Sequence, residues 1–190
     1  MLIVSQNLAN YDFTIPDNAI YRINLAWVNN LEVLSELLSK HSNHKIFIDL
    51  PIRRTKPPHN SYNFDELIPI FEKNSNIQYL AISNVNSASD IDKLISLIPK
   101  HVKIVPKIES PDGIANIDNI TNCMPYSNKV IMLDHDDLFS SLIKKGEDPS
   151  KFKEYINSLQ NFCFENNITL LRTIGVIFSD TEKRVSQYMK

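Results

Sequence analysis

Short apolar runs alternate along this chain with longer segments whose apolar residues recur every three or four positions. Runs of four to seven residues rich in Ile, Val and Leu, such as Lys45–Leu50 and Val102–Ile108, are typical of buried strands. The segments between them have helical spacing, as in Leu31, Leu34, Leu37 and Leu38. Strands that alternate with amphipathic helices pair in parallel through right-handed crossovers. The pattern predicts one α/β domain over residues 1–190 with about seven strands.

The predicted elements follow one another in regular order. Strands are predicted over Met1–Ser5, Ala19–Leu25, Lys45–Leu50, Ile77–Ser83, Val102–Ile108, Lys129–Leu133 and Ile168–Thr173. Helices are predicted to begin near Leu31, Asn63, Ser87, Ser110, Leu138, Asp148 and Thr181, with Gly146 ending the one that begins at Leu138. The acidic residues between the sixth strand and Leu138 are predicted to form a loop.

Polar side chains collect where the predicted strands end. They are Arg22, Asn24, Asp49, Ser83, Lys107, Glu109, Asp137 and Thr173. A (β/α) barrel builds its site from residues at most of its strand ends, whereas an open doubly wound sheet uses only its switch point. The distribution therefore favours a barrel.

The fifth strand carries the clearest candidate chemistry. Lys107 and Glu109 lie two positions apart and face the same side, while Ile108 faces the other. A cation and an anion at a strand end suit an anionic substrate with a divalent metal, although a surface ion pair gives the same pattern. Ser110 is predicted to cap the next helix, with Pro111 at its first position.

Composition and charge exclude several classes of function. The hydrophobic fraction is 43% and the charged fraction is 22%. The net charge of −2 does not indicate the basic surface that binds nucleic acid or an anionic membrane. Only three glycines occur, and they are not clustered, which excludes a Walker-type phosphate loop and a dinucleotide fingerprint. The two isolated cysteines and the absence of a signal-peptide pattern predict a cytoplasmic protein.

Residues Val102–Ile114 resemble the active-site signature of pyruvate kinase. The signature has an apolar run, Lys, an aliphatic residue, Glu and a small polar residue. Any residue, an acidic or polar residue, Gly or another small residue, and an aliphatic residue then follow. The resemblance implies a reduced, pyruvate-kinase-like TIM barrel. In the family, the residue matching Lys107 stabilises the enolate of pyruvate, and the residue matching Glu109 binds a divalent metal, Mg²⁺ or Mn²⁺.

Further segments resemble the same family in the same order, namely Tyr21–Asn24, Leu80–Ile91 and Ile131–Leu138. By this resemblance Arg22 and Asn24 contact substrate phosphoryl and a monovalent cation such as K⁺, and Asp49 is another ligand of that cation. Asp137 is the second carboxylate of the divalent metal. Thr173 lies near the carbon that undergoes proton transfer. The implied catalytic residues are therefore Lys107, Thr173 and Arg22.

Several side chains have two interpretations at this level. Arg22 is either an anion clamp or a structural salt bridge to Asp49. Asp134 and Asp136 are either further metal ligands or a polar loop, and His135 is either a proton carrier or a bystander. Arg53, Arg54 and Lys56 either flank the site or are merely solvated.

The sequence also departs from the family pattern. Asn24-Leu25-Ala26-Trp27-Val28 replaces the family's Asn-Phe-Ser-His-Gly, which removes a cation ligand and the histidine near the nucleotide. Asp134-His135-Asp136 replaces Ala-Arg-Gly, which places negative charge where the family binds a carboxylate. The family's inserted lid domain, its C-terminal domain and its eighth strand are not expected.

The sequence thus predicts a protein that binds phosphoenolpyruvate, pyruvate or a related 2-oxo acid with a divalent metal and stabilises its enolate. Lyase or decarboxylase chemistry, or residual phosphotransferase chemistry, would follow. The alternative is a catalytically inactive binding or assembly module. Because an open barrel leaves an unpaired strand edge, a second subunit, a partner chain or the C-terminal helix is expected to cover it.

Overall fold

Seven parallel strands form one sheet in sequential order. The structure is a computed structural model, and it describes residues 3–6, 15–52, 58 and 60–172. The strands are β1 (Ile3–Ser5), β2 (Ile20–Asn24), β3 (Lys45–Leu50), β4 (Ile77–Ile82), β5 (Lys103–Ile108), β6 (Val130–Leu133) and β7 (Thr169–Arg172). Every neighbouring pair is parallel. The sheet curls into a half-barrel, so the prediction of an α/β fold with about seven parallel strands is confirmed.

Helices connect most of the strands. They are α1 (Leu31–Lys40), α2 (Phe64–Lys73), α3 (Asp92–Leu97), α4 (Pro111–Ala115), α5 (Ile117–Asn122), α6 (His135–Lys144) and α7 (Lys151–Glu165). Short 3₁₀ turns lie at Leu25–Trp27 and Ala88–Asp90. As predicted, Ser110 caps α4 by accepting a hydrogen bond from the Gly113 N–H at 3.0 Å.

The two faces of the sheet bury different sets of residues. On the outer face, alternate strand residues such as Ile23, Ile48 and Leu80 pack against apolar residues of the helices, among them Leu34 and Phe71. The inner face holds a smaller apolar cluster made of Ile20, Phe47, Ala81, Val105, Val130 and Met132. Both faces are apolar because a parallel sheet of this kind is covered on both sides.

The inner face changes from apolar to charged along the strand direction. Two residues beyond the apolar cluster, the same face carries Arg22, Asp49, Ser83, Lys107 and Asp134. Because side chains alternate along a strand, these residues point inward like the residues two positions before them, which are Ile20, Phe47, Ala81, Val105 and Met132. The carboxyl mouth of the half-barrel is therefore polar and its floor is apolar.

The pairing of β5 changes partner at Pro106. Residues Lys103–Pro106 pair with β4, whereas Lys107 and Ile108 pair with β6. Proline has no N–H to donate to a neighbouring strand. The ladder to β4 thus ends at Pro106, one residue before the predicted site lysine.

Some predicted boundaries differ from the structure. Helix α6 begins at His135 rather than near Leu138, because Asp134 caps it and accepts a hydrogen bond from the Asp137 N–H at 3.3 Å. The prediction of a loop over the acidic residues is therefore wrong for Asp136 and Asp137, which form the first turn of α6. Gly146, with φ of +70°, ends this segment as predicted. The predicted helix from Thr181 lies outside the described residues.

Candidate functional site

Lys107 lies at the centre of a cluster of charges at the carboxyl mouth. Its Nζ is 2.7 Å from Glu109 Oε1 and 3.8 Å from Asp49 Oδ1, and it donates a hydrogen bond to Ser83 Oγ at 3.3 Å. The Lys107 side chain is only 8% exposed, and those of Asp49 and Glu109 are each 2% exposed. Strand alternation predicted that Lys107 and Glu109 share a face, and their contact confirms it.

Arg22 and Asp49 form an ion pair across β2 and β3. The Arg22 guanidinium donates to Asp49 Oδ2, and the two residues lie on adjacent strands, two positions out of direct register. The Arg22 side chain is 20% exposed, compared with 2% for that of Asp49. The structural salt bridge considered for Arg22 is therefore present, and it links Arg22 through Asp49 to Lys107.

Glu109 is held on its other side by the backbone that follows β4. The Asn84 N–H donates to Glu109 Oε2 at 2.6 Å. Asn84 has φ of +56°, a left-handed conformation that asparagine tolerates better than most residues, and its side chain donates to the Ile52 carbonyl at 2.7 Å. These contacts fix the direction of the Glu109 carboxylate.

Three carboxylates converge next to Lys107. Ligand oxygens of Glu109, Asp134 and Asp137 lie within 4.8 Å of one another, so this group could hold a metal ion. Glu109 is buried, while Asp134 and Asp137 are half-buried and lie at the start of α6. Oxygen-only ligands suit hard divalent cations rather than Zn²⁺ or Cu²⁺.

Burial and neighbouring charges act in opposite directions on this cluster. Burial disfavours the charged form of Lys107, but attraction to Asp49 and Glu109 outweighs it and raises the Lys107 pKa above its usual value. Burial also raises the pKa of Glu109, and the Lys107 ammonium offsets only part of this effect. Lys107 is therefore a fixed cation at neutral pH, and the Glu109 carboxylate gains from a further nearby cation.

A cavity of about 250 Å³ opens from this cluster toward α4 and α6. Lys107, Glu109 and Asp137 line it together with residues of α6 and the turn after it, namely Ser140, Ser141, Lys144 and Lys145. Its lining is rich in hydroxyl, amide and charged groups. Such a cavity suits a small polar molecule rather than an apolar one.

The remaining predicted residues are placed less centrally. Asn24 ends β2, and its Oδ1 accepts from the Ala26 N–H at 3.0 Å, which caps the 3₁₀ turn. The exposed Arg172 guanidinium donates to His135 Nε2, at 2.9 Å from the nearer nitrogen, and His135 is absent from the cavity lining. Thr173, Arg53, Arg54 and Lys56 lie outside the described residues.

Three residues of the site make contacts that the sequence pattern did not assign. Ser83 contacts Lys107 and Asn84 orients Glu109. Asp134, one of the two aspartates considered as further metal ligands, joins the carboxylate group and also caps α6. A signal for Asp134 was available, since Asp followed three residues later by another acidic residue before an apolar run is typical of a helix start. No comparable signal distinguishes Asn84, because its role depends on a backbone N–H.

Comparisons with known proteins support the fold and give no information on function. No protein-family model matches the chain, and no curated protein matches it. Among solved structures, the chain is similar to the one described as "Crystal Structure of RipC from Yersinia pestis", with a TM-score of 0.60 and 14% sequence identity. The match covers 99% of this chain and 80% of that chain. Among the described helices, none has the length and apolar character needed to cross a membrane.

Proposed function

We propose that this chain is a reduced, pyruvate-kinase-like barrel that binds a divalent metal together with pyruvate, phosphoenolpyruvate or a related 2-oxo acid. The observation that carries the proposal is the contact of Lys107 Nζ with Glu109, which belongs to a group of three carboxylates, two of which line the same cavity as Lys107. The resemblance of Val102–Ile114 to the pyruvate kinase signature supports the same assignment.

Lys107 acts as an electrostatic stabiliser rather than as a nucleophile or base. Its raised pKa keeps it charged at neutral pH, whereas an amine that forms a Schiff base must lose its proton. A buried ammonium beside a developing enolate oxygen lowers the energy of the transition state, because the charge is already oriented before reaction. Ser83 and Asp49 hold the ammonium in place.

Glu109 and Asp137, with Asp134, would hold Mg²⁺ or Mn²⁺. Among the described residues, Arg22 and Lys107 face four carboxylates at the mouth, those of Asp49, Glu109, Asp134 and Asp137, which leaves two negative charges when all are ionised. A divalent cation balances this excess and, when bound, supplies positive charge to the carboxylate and oxo oxygens of the substrate. Arg22 then provides an anion contact at the opposite side of Lys107.

The start of α6 distinguishes this site from the pyruvate kinase pattern. In that family, backbone N–H groups at the corresponding turn bind the substrate carboxylate. Here the Asp134 carboxylate accepts from the Asp137 N–H, so one such donor is already used. The substrate carboxylate therefore depends on the metal, Arg22 and Lys107. Lyase or decarboxylase chemistry is favoured over phosphoryl transfer because residues 24–28 lack the family's histidine near the nucleotide and the segment 51–60 is too short for its lid domain.

Calorimetric titration with Mg²⁺ plus oxalate, a planar mimic of enolpyruvate, tests the proposal. The wild-type chain should bind oxalate only with Mg²⁺ present, and Asp137→Asn and Lys107→Met should each weaken binding at least tenfold. Lys151→Met is the matched control, because Lys151 is an exposed lysine on α7 away from the cavity. Absence of binding by the wild-type chain, or equal binding by all four proteins, would contradict the proposal.

A second candidate function is a binding or assembly module without catalysis. It is favoured by the ion pairs that already join Arg22, Asp49, Lys107 and Glu109, since a self-paired network is also typical of a structural core. In this case the β1 and β7 edges, which pair with each other nowhere in the described residues, would dock a second copy or a partner chain. Turnover of oxaloacetate or phosphoenolpyruvate that Lys107→Met abolishes would exclude this candidate as a full account.

The monovalent cation of the resemblance remains part of the proposal. Asn24 and Asp49 are its implied ligands, yet Asn24 Oδ1 accepts from Ala26 N–H and Asp49 pairs with two cations. A K⁺ ion at this point would compete with Arg22 and Lys107 for Asp49. If K⁺ binds there, oxalate titrations should give a higher affinity in KCl than in tetramethylammonium chloride. Similar affinities in the two salts would remove K⁺ from the proposal.

A further inference from the structure

Two histidines at the opposite end of the sheet have ring nitrogens without partners. His41 follows the last residue of α1, and His44 precedes the first residue of β3. His41 is 6% exposed. Within the described part of the chain, His41 Nε2 and both ring nitrogens of His44 are buried and make no hydrogen bond. Leaving such a group unpaired costs about 1–3 kcal/mol, which makes three in one turn unusual.

The turn that carries these histidines is rigidly held. The His41 N–H donates to the Leu37 carbonyl at 3.1 Å, and the His44 N–H donates to the His41 carbonyl at 3.0 Å. Asn76 Nδ2 contacts the carbonyls of His41 at 3.4 Å and of His44 at 3.1 Å. The Tyr21 ring stacks on His41 with centroids 3.6 Å apart, which fixes the direction of that imidazole.

The spacing of the two imidazoles matches shared coordination. Their centroids are 5.6 Å apart with an interplanar angle of 60°. Two imidazoles bound to one tetrahedral ion through Zn–N bonds of about 2.1 Å have centroids about 5.2 Å apart. The observed separation of 5.6 Å is about 0.4 Å longer than this value.

We propose that His41 and His44 form a second metal site, for a divalent transition metal of the Zn²⁺ type, separate from the carboxylate cluster. Imidazole nitrogen suits Zn²⁺, Ni²⁺ and Cu²⁺, whereas the oxygen-only cluster at the mouth suits Mg²⁺. The site lies at the carboxyl end of α1, where the helix dipole favours a cation. The neighbouring Lys40 and Lys45 are exposed, so solvent screens their repulsion.

The two proposed metal sites are far apart. From Lys45 to Leu50, β3 advances about 16 Å at the usual rise per residue, and Asp49 lies near the far end. An ion at His41 and His44 would therefore tie α1 to the amino end of β3 without touching Lys107. Its role would be to stabilise the chain, and it would give a partner to His41 Nε2 and to one of the two ring nitrogens of His44.

Zn²⁺ calorimetry and Cu²⁺ electron paramagnetic resonance on the full chain test this site. One Cu²⁺ per chain should show couplings from two imidazole nitrogens, and Zn²⁺ should compete for it. His44→Gln, at a half-exposed position, and His41→Gln should each weaken Zn²⁺ binding at least tenfold. His101→Gln, at an exposed histidine elsewhere, should leave it unchanged.

Two measurements, Mg²⁺ binding and the Cu²⁺ nitrogen couplings, distinguish the histidine site from the carboxylate cluster. Asp137→Asn should weaken Mg²⁺ binding and leave the Cu²⁺ nitrogen couplings intact, and His44→Gln should do the reverse. A Cu²⁺ spectrum without nitrogen couplings, or equal Zn²⁺ binding by wild type and both histidine variants, would overturn the second site. Circular dichroism of each variant checks that it is folded before the comparison.

Discussion

Gly113→Ala should disturb the candidate site by displacing neighbouring backbone, not by removing a side chain from the site. A Cβ at Gly113 would lie 2.7 Å from the Val85 carbonyl oxygen and 3.3 Å from Ile108 Cγ2. The first distance is shorter than a carbon and an oxygen tolerate, and its partner is backbone rather than a flexible side-chain tip. The turn that contains Asn84 and Val85 must therefore move away from α4.

The expected destabilisation follows from two opposing effects. Overpacking of this kind lowers the free energy of unfolding by about 1–3 kcal/mol. Replacing a helical glycine by alanine raises it by about 0.5–1 kcal/mol, because glycine loses more conformational entropy on folding. A net loss of about 1–2 kcal/mol should lower the midpoint of thermal unfolding by about 2–8 °C for a chain of this length. Because the Asn84 N–H holds Glu109 at 2.6 Å, Mg²⁺ affinity should fall as well.

The matched control is Gly146→Ala. Gly146 has φ of +70° and no neighbouring atom within 4 Å of the added Cβ, so the cost is backbone strain of about 1–2 kcal/mol. Thermal unfolding and Mg²⁺ calorimetry should show both variants destabilised but only Gly113→Ala weakened in binding. A Gly113→Ala protein as stable as wild type, with unchanged Mg²⁺ affinity, would refute this reasoning.

Three further outcomes are expected. Asp49→Asn should lower the free energy of unfolding, measured in urea, by about 3 kcal/mol, because it leaves Arg22 and Lys107 without their shared carboxylate at a buried position. Lys151→Gln breaks an ion pair nearer the surface and should lower it by less than about 0.5 kcal/mol. Mg²⁺ at 100 times its dissociation constant should stabilise the chain by about 2.7 kcal/mol, raising the melting midpoint by about 5–10 °C, and EDTA should reverse the shift. Burial raises the pKa of Cys163 to about 11. At pH 8 only about one Cys163 thiol in a thousand is then ionised, so iodoacetamide should label it far more slowly in the native chain than in urea.

The sequence predicted the fold well because the strands follow two simple rules. Apolar runs such as Lys45–Leu50 are buried on both faces, and alternation fixed which strand-end side chains point inward. Lys107 and Glu109 share a face for that reason alone. The boundary error at α6 arose because apolar periodicity was weighed above the capping signal of Asp134, which moved the predicted start by three residues.

Other parts of the site depend on geometry that no local pattern encodes. The Asn84 contact to Glu109 is made by a backbone N–H, so it requires the left-handed conformation at Asn84 and the register of β4 against β5. The sequence suggested both a salt bridge to Asp49 and an anion-binding role for Arg22 but could not choose between them, because both use the same side chain at the same strand end. Packing of neighbouring strands decides between them.

The change of partner at Pro106 divides the half-barrel into two leaves that share β5. Arg22 and Asp49 belong to the first leaf, and Asp134 and Asp137 follow β6 in the second. A small opening angle between the leaves would leave the contact of Arg22 with Asp49 intact. It would, however, lengthen the distance from Lys107 Nζ to Asp49 Oδ1, which is 3.8 Å, because Lys107 pairs with β6 and Asp49 lies on β3. The strength of this ion pair thus depends on how tightly the two leaves close on each other.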